Sequence, residues 1–264
     1  HDFFAEPGAN APGSIFKVKV KHQIKGSGGI FVESPDGDFF LHKTQGITSG
    51  DFILVQVSSY GDREKLPRVT TKLLFKSRYV IVTPFNEGLN IAKNIQDNER
   101  RIQLKQLVLE GLDHIPYGMI MRSSCASANK SEIISDCKNT ITTAQNVLSA
   151  EDKQMGLIHR APSPHQLAWR EWIDMPALDK TSGTFAEHGV LELIDELKHS
   201  KVIQNSGNYY IEPTKAFVAI DVNTAGDISF AAGLKANLAM AKDLPRQLRL
   251  RGLGGQIVVD PAPM

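Results

Sequence analysis

The chain has 264 residues, 41% of them hydrophobic, and its 30 Lys and Arg against 29 Asp and Glu give a formal net charge of +1. That balance marks a globular protein with real cores and excludes a wholly basic chain, so any nucleic-acid surface has to come from local clustering of cations. The two cysteines fit neither a disulfide scaffold nor a CxxC zinc site, which points to a reducing compartment. No apolar run reaches the ~20 residues of a membrane span, and the first residues are neither basic nor apolar enough for a signal peptide. The expectation is an intracellular protein that does not engage membranes, with one or both ends trimmed.

After a Pro/Gly-rich lead, "IFKVKV", "GIFVES", "DFFLHK" and "FILVQVS" read as short strands punctuated by turn residues. Such spacing predicts a small antiparallel barrel of OB type. A basic loop and two further strands follow, ending in "YVIVTP". The spacing of Ile102, Leu104, Leu107 and Leu109 then predicts a helix from about Asp97 to Leu112. "YGMIMRSS" returns to strand, and the next stretch reads as a helix opened by Ser131 with Glu132 in its first turn. "GTFAEHGVLELIDELKHSKV" reads as an amphipathic helix and "GNYYIEP" as a strand.

The last fifty or so residues carry the sharpest pattern. "AFVAIDVN" and "QIVVD" read as fully buried strands joined by a helix, a βαβ unit whose strands are parallel with both carboxyl ends at one edge of the sheet. Asp221 and Asp260 end those strands, and Asn223 points to the same side as Asp221. Two carboxylates and a carboxamide are hard oxygen donors suited to Mg²⁺ or Mn²⁺ rather than zinc, and such a site suits phosphodiester hydrolysis. The plainer alternative is that Asp221 and Asn223 cap a turn and Asp260 makes one with Pro261.

"AFVAIDVNTAGD", "ANLAMAKDLPRQLRLRGLGGQIVVD" and "YVIVTP" closely resemble the ribonuclease E/G family of endoribonucleases, and weaker similarity extends over most of the chain. The resemblance implies an α+β protein of several subdomains: an S1/OB-fold barrel over 12–75, a mixed α/β region like the family's 5′-end sensor over 76–150, an RNase H-like or linking part over 151–214, and a partial DNase-I-like subdomain over 215–264. It implies catalytic Asp221 and Asp260, with Asn223 completing the metal set. It places Phe31, Phe40 and Lys65 on single-stranded RNA, and Arg122 and Ser123 on a 5′-monophosphate.

The activity implied is Mg²⁺-dependent endoribonuclease cleavage of single-stranded RNA in RNA processing or decay, with Mn²⁺ as a substitute cation, in a bacterial cytoplasm or an organellar matrix. Zinc is not expected, because the family's zinc-binding cysteines have no counterpart. A zinc-linked tetramer is therefore not expected either, while another homo-oligomer stays open. The ending "PAPM" and the compact barrel region resemble the shorter branch of the family, cut short at its C-terminus. Pro245 is expected to kink the crossover helix. Pro245 and Pro261 keep a second reading open, an inactive RNA-binding protein of the same fold within a ribonucleoprotein.

Overall fold

The structure, a computed structural model, describes residues 8–23, 28–42, 45–61, 65–149, 154–172, 184–226, 229 and 231–264. Contacts divide the chain into two compact units, one up to Met175 and one from Pro176 onward.

In strand β1 (Ile15–Gln23), Phe16, Val18 and Val20 alternate with Lys17, Lys19 and Lys21, so the apolar set turns inward and the lysines outward. The same period runs through β2 (Gly29–Ser34), β3 (Gly37–His42) and β4 (Phe52–Ser59). With the short β5 (Arg68–Thr70), these strands close in the order β1-β2-β3-β5-β4-β1. Only β3 and β5 pair in parallel, and the result is a five-stranded OB-like barrel. Its interior is filled by residues such as Phe16, Val32, Phe39 and Val55, with the Phe16 and Phe39 rings 4.9 Å apart.

A second sheet follows, built from β6 (Phe75–Lys76), β7 (Val80–Thr83), β8 (Leu89–Ile91) and β9 (Gly118–Met121) in the order β6-β7-β9-β8. Helix α1 (Asn98–Gly111) links the parallel pair β8 and β9, and Asp97 caps it by accepting from the amides of Glu99 and Arg100 at 2.9 and 3.3 Å. Of the apolar positions expected to face the core, only Leu104 is buried. Val108 joins it, whereas Ile102 and Leu109 are exposed. Helix α2 (Lys130–Leu148) starts one residue before the expected Ser131, and Glu132 in its first turn accepts from the Tyr79 hydroxyl at 2.9 Å. Its Ile133, Cys137, Ile141 and Ala144 pack on Met119 and Met121, and Ile15 of the barrel belongs to the same cluster. Strand β10 (Gly156–His159) returns to pair with β1, and α3 (Pro164–Glu171) follows, opened by a Ser163–Gln166 capping box.

The second unit departs from expectation where one helix was predicted after residue 183. There are two short helices, α4 (Thr184–Glu187) and α5 (Val190–Glu196), separated at Gly189, whose φ of 65° breaks the helix. From Lys201 the chain is strand: β11 (Lys201–Gln204), β12 (Gly207–Pro213), β13 (Val218–Asn223) and β14 (Ile257–Asp260) form one sheet in that order. Strands on both sides of position 214 thus share a sheet, with β12 and β13 paired along six positions.

Helix α6 (Ala232–Leu250) connects β13 to the parallel β14 and runs on through Pro245. Just before that proline, Asp243 accepts from the buried Tyr209 hydroxyl at 2.8 Å and from Gln247 at 3.2 Å, tying helix to sheet. The prediction of two fully buried strands is corrected. In β13 only Val218, Ile220 and Val222 are buried, against Ala236 and Met240, because α6 covers one face. Strand β14 lies at the sheet edge and all four of its residues are exposed. Among the described residues no helix is long and apolar enough to cross a membrane.

Candidate functional site

Parallel register sets Asp221 directly opposite Asp260 on the exposed face of the sheet, across the ~4.8 Å that separates neighbouring strands. Asn223, two residues along β13 and on the same face, donates from Nδ2 to Asp221 Oδ2 at 2.9 Å. The three residues singled out from sequence are therefore brought together as two carboxylates and a carboxamide. Among the described residues no cluster of three or more His, Cys, Asp and Glu is placed to hold a metal. The pairing of β12 adds two neighbours that sequence reasoning missed. Tyr210 stands opposite Asp221, and Lys201 opposite Tyr210, its Nζ 5.8 Å from the ring centroid. Lys201, Tyr210, Asp221 and Asp260 form one row.

The carboxyl ends of β13 and β14 are both held by local structure. Just past Asn223 the chain turns through Ala225 at φ 51° and Gly226 at φ 91°, and Ala225 is the one non-glycine at positive φ among the described residues. Past Asp260, Asn237 of α6 clamps the chain: its Nδ2 donates to the Ala262 carbonyl and its Oδ1 accepts from the Ala262 amide, both at 2.9 Å. Gly233 lets the strand's continuation approach, since a Cβ there would sit 1.9 Å from the Pro263 carbonyl oxygen. Asn237 carries no sequence signal of its own.

Arg122 and Ser123 lie where β9 ends in a 3₁₀ turn, Ser123–Ala126, which Arg100 of α1 holds by donating to the Cys125 and Ala128 carbonyls at 2.7 and 3.0 Å. The Arg122 fork is engaged within the chain. Nη1 donates to the Ser77 carbonyl at 2.5 Å, and Nη2 to Glu171 Oε2 at 2.5 Å. Glu171 also accepts from Arg170 Nε at 2.7 Å. Burial pushes the Glu171 carboxyl up, but hydrogen bonds and charge from Arg122 and Arg170 outweigh it and hold the carboxyl below its usual range.

On the barrel, Phe31 and Phe40 are direct cross-strand partners on the outer face, half-buried, with ring centroids 6.2 Å apart edge to face. Phe40 also packs edge-on against the His42 ring at 5.3 Å. The ring of Phe40 lies across Gly29, where a Cβ would come within 2.2 Å of Cε2. Lys65 is exposed in the segment before β5, and that segment reaches β3, because the Phe40 amide donates to the Pro67 carbonyl at 3.0 Å. Arg68, paired in register with Phe40, is a second cation there that the sequence reading passed over. Residues 62–64 of the basic loop lie outside the described residues.

The profile of the Ribonuclease E/G family matches residues 75–176 and 173–264. Similar proteins include ribonuclease G of Haemophilus influenzae, 27% identical over 252 residues, covering 81% of this chain and 51% of that protein. Ribonuclease E of Synechocystis sp. is 26% identical over 253 residues, covering 79% of this chain and 37% of its own length. The chloroplastic ribonuclease E/G-like protein of Arabidopsis thaliana is 26% identical over 264 residues, covering 81% of this chain and 26% of its own length. The chain thus spans from about a quarter to about half of these relatives. Because the family profile covers most of the chain, including β13, α6 and β14 with their paired aspartates, the chain belongs to the ribonuclease E/G family.

Proposed function

We propose that this chain is a metal-dependent endoribonuclease that hydrolyses single-stranded RNA in RNA processing or decay. The observation that carries this reading is the placement of Asp221 and Asp260 at one register position of adjacent parallel strands, exposed, with Asn223 bonded to Asp221. The donor set fits a hard divalent cation: two carboxylates supply charge, and the Asn223 amide fixes the rotamer of Asp221. Bound there, Mg²⁺ or Mn²⁺ supplies polarisation of a phosphodiester and a water of lowered pKa. Asn237 keeps Asp260 in register through its clamp on Ala262, and Tyr210 and Lys201 extend the row on which a phosphate chain would lie. Hydrolysis adds one water across a P–O bond.

On the barrel, which we read as the family's S1 domain, Phe31 and Phe40 offer faces for bases, at about 1–3 kcal/mol per stacked base, while Lys65 and Arg68 follow the backbone. Arg122 with Ser123 is the proposed 5′-monophosphate seat, and a terminal phosphate enters it by displacing the Glu171 carboxylate. The β13-α6-β14 region is read as part of a DNase-I-like subdomain. A second reading, RNA binding without turnover, rests on the barrel aromatics, which require no cation. End-labelled RNA incubated with and without Mg²⁺ separates the two. Cleavage that needs Mg²⁺ and disappears in Asp221→Asn and Asp260→Asn, with RNA binding retained, supports the enzyme. Cleavage unaffected by both substitutions refutes the metal site, and binding with no cleavage under any divalent cation leaves the second reading.

A further inference from the structure

A cleft of about 660 Å³ opens within the first unit between the barrel, the second sheet and α3. Its volume falls in the range of about 300–1,000 Å³ typical of small-ligand sites. Its lining includes Lys72, Lys76, Arg78, Arg160 and Arg170 and, among the described residues, no carboxylate. In a chain of net charge +1, five cations on one cleft, of which Arg170 is paired with Glu171 at its edge, are a marked local concentration.

The cations come from four separate stretches: the segment after β5, strand β6 and the turn beyond it, the end of β10, and α3. Arg78 anchors α3 to that turn by donating to the Trp172 carbonyl at 3.0 Å and to the Trp169 carbonyl, and its guanidinium lies 5.1 Å from the Trp169 ring centroid. Trp169, 46% exposed, thus presents an aromatic surface at the rim of a basic cleft. Cations spaced along a groove with an exposed aromatic ring are the combination that holds phosphates and stacks a base. The Arg122 seat adjoins the cleft, since the Ser77 carbonyl that Arg122 holds belongs to a lining residue.

We infer that this cleft binds the sugar–phosphate backbone of single-stranded RNA, with Trp169 as a stacking platform, as a site separate from the outer face of β2 and β3. The inference rests on the reading of the chain as an RNA-binding protein.

Of the chain's two tryptophans, Trp169 lines the cleft and Trp172 caps the same helix, so the part of the intrinsic fluorescence that Trp169→Ala removes reports from this cleft. The full chain is titrated with a 5′-hydroxyl oligouridylate of about ten nucleotides without divalent cations, which removes both cleavage and the terminal phosphate. The expected result is a saturable fluorescence change that Trp169→Ala largely removes. Lys72→Gln with Lys76→Gln, both at exposed positions, weakens binding about tenfold and flattens the dependence of log K on log salt by about 0.7 per charge removed. Phe31→Ala with Phe40→Ala serves as the comparison. If the lysine pair leaves affinity and salt dependence unchanged while the phenylalanine pair abolishes binding, the cleft inference falls and the RNA-binding reading stands. If the unsubstituted chain binds no RNA, that reading falls and takes the inference with it. A polyglutamate that alters the fluorescence as tightly as RNA overturns the assignment to RNA.

Discussion

Glu171 at the end of α3 closes on Arg122 at the end of β9, with 2.5 Å between Oε2 and Nη2. Because Arg170 binds the other carboxylate oxygen, one anion is held between two guanidinium groups, much as a phosphate would be. Glu171→Gln is expected to weaken this closure and raise preference for 5′-monophosphorylated over 5′-hydroxyl RNA several-fold, measured by competition binding. The folded-state pKa of Glu171 is depressed, so its contribution is present above the ordinary carboxylate range and lost as pH falls through the lowered value. Monophosphate preference is therefore expected to rise at the acid end of that window in the parent protein and to stay flat in Glu171→Gln. Unchanged preference in the variant would leave Arg122 the structural task of holding the Ser77 and Arg170 carbonyls.

Asn237→Ala removes both hydrogen bonds to the backbone of buried Ala262. Leaving such groups unpaired costs about 1–3 kcal/mol, which equilibrium denaturation resolves. Hydrogen exchange at the Ala262 amide should quicken more than at β13. A uniform change across the sheet would show that the clamp serves global stability and not the position of Asp260.

Gly29→Ala places a methyl where the Phe40 ring now lies. The ring has to move, and the loss of single-stranded RNA affinity is expected to match that of Phe40→Ala, about 1–3 kcal/mol if the ring stacks a base. Titrations of both variants check this. A Gly29→Ala protein that binds like the parent would remove Phe40 from the RNA-binding surface.

Cys125 and Cys137 are both free and buried, and burial pushes each thiol up to about 12. At pH 8 neither is expected to react with a disulfide reagent in the native protein, and both should react once denaturant unfolds the first unit. Rapid labelling of either thiol without denaturant would contradict their burial in the core shared by α2 and the second sheet.

The barrel was legible because its strands alternate strictly and are separated by Gly, Pro and Asp, and local pattern carries that much. The βαβ unit was legible because two short apolar runs flank a stretch of helical period, and with it the convergence of Asp221 and Asp260. Most of what failed depended on partners far away in sequence. β14 is as apolar as a buried strand yet lies exposed at an edge, because composition does not say how many faces are covered. Ile102 and Leu109 match a helical period but miss the face that Leu104 and Val108 bury. The break at Gly189 needed a backbone angle, not a hydrophobic pattern. Tyr210 joined the site only through the register of β12 on β13, and Arg122 met Glu171 through the docking of α3.

The return of β10 to β1 also sets an order of events during synthesis. Ile15, Phe16 and Lys17 already pair with β4 on one side, but their other side waits for Gly156, Leu157 and His159, which emerge only after the whole second sheet and α2 have been made. A nascent barrel released from the ribosome early would expose that bare strand edge, a template for mispairing between chains. Ile15 packs into the later core as well, so a fragment ending after β5 is expected to aggregate where one reaching α3 folds.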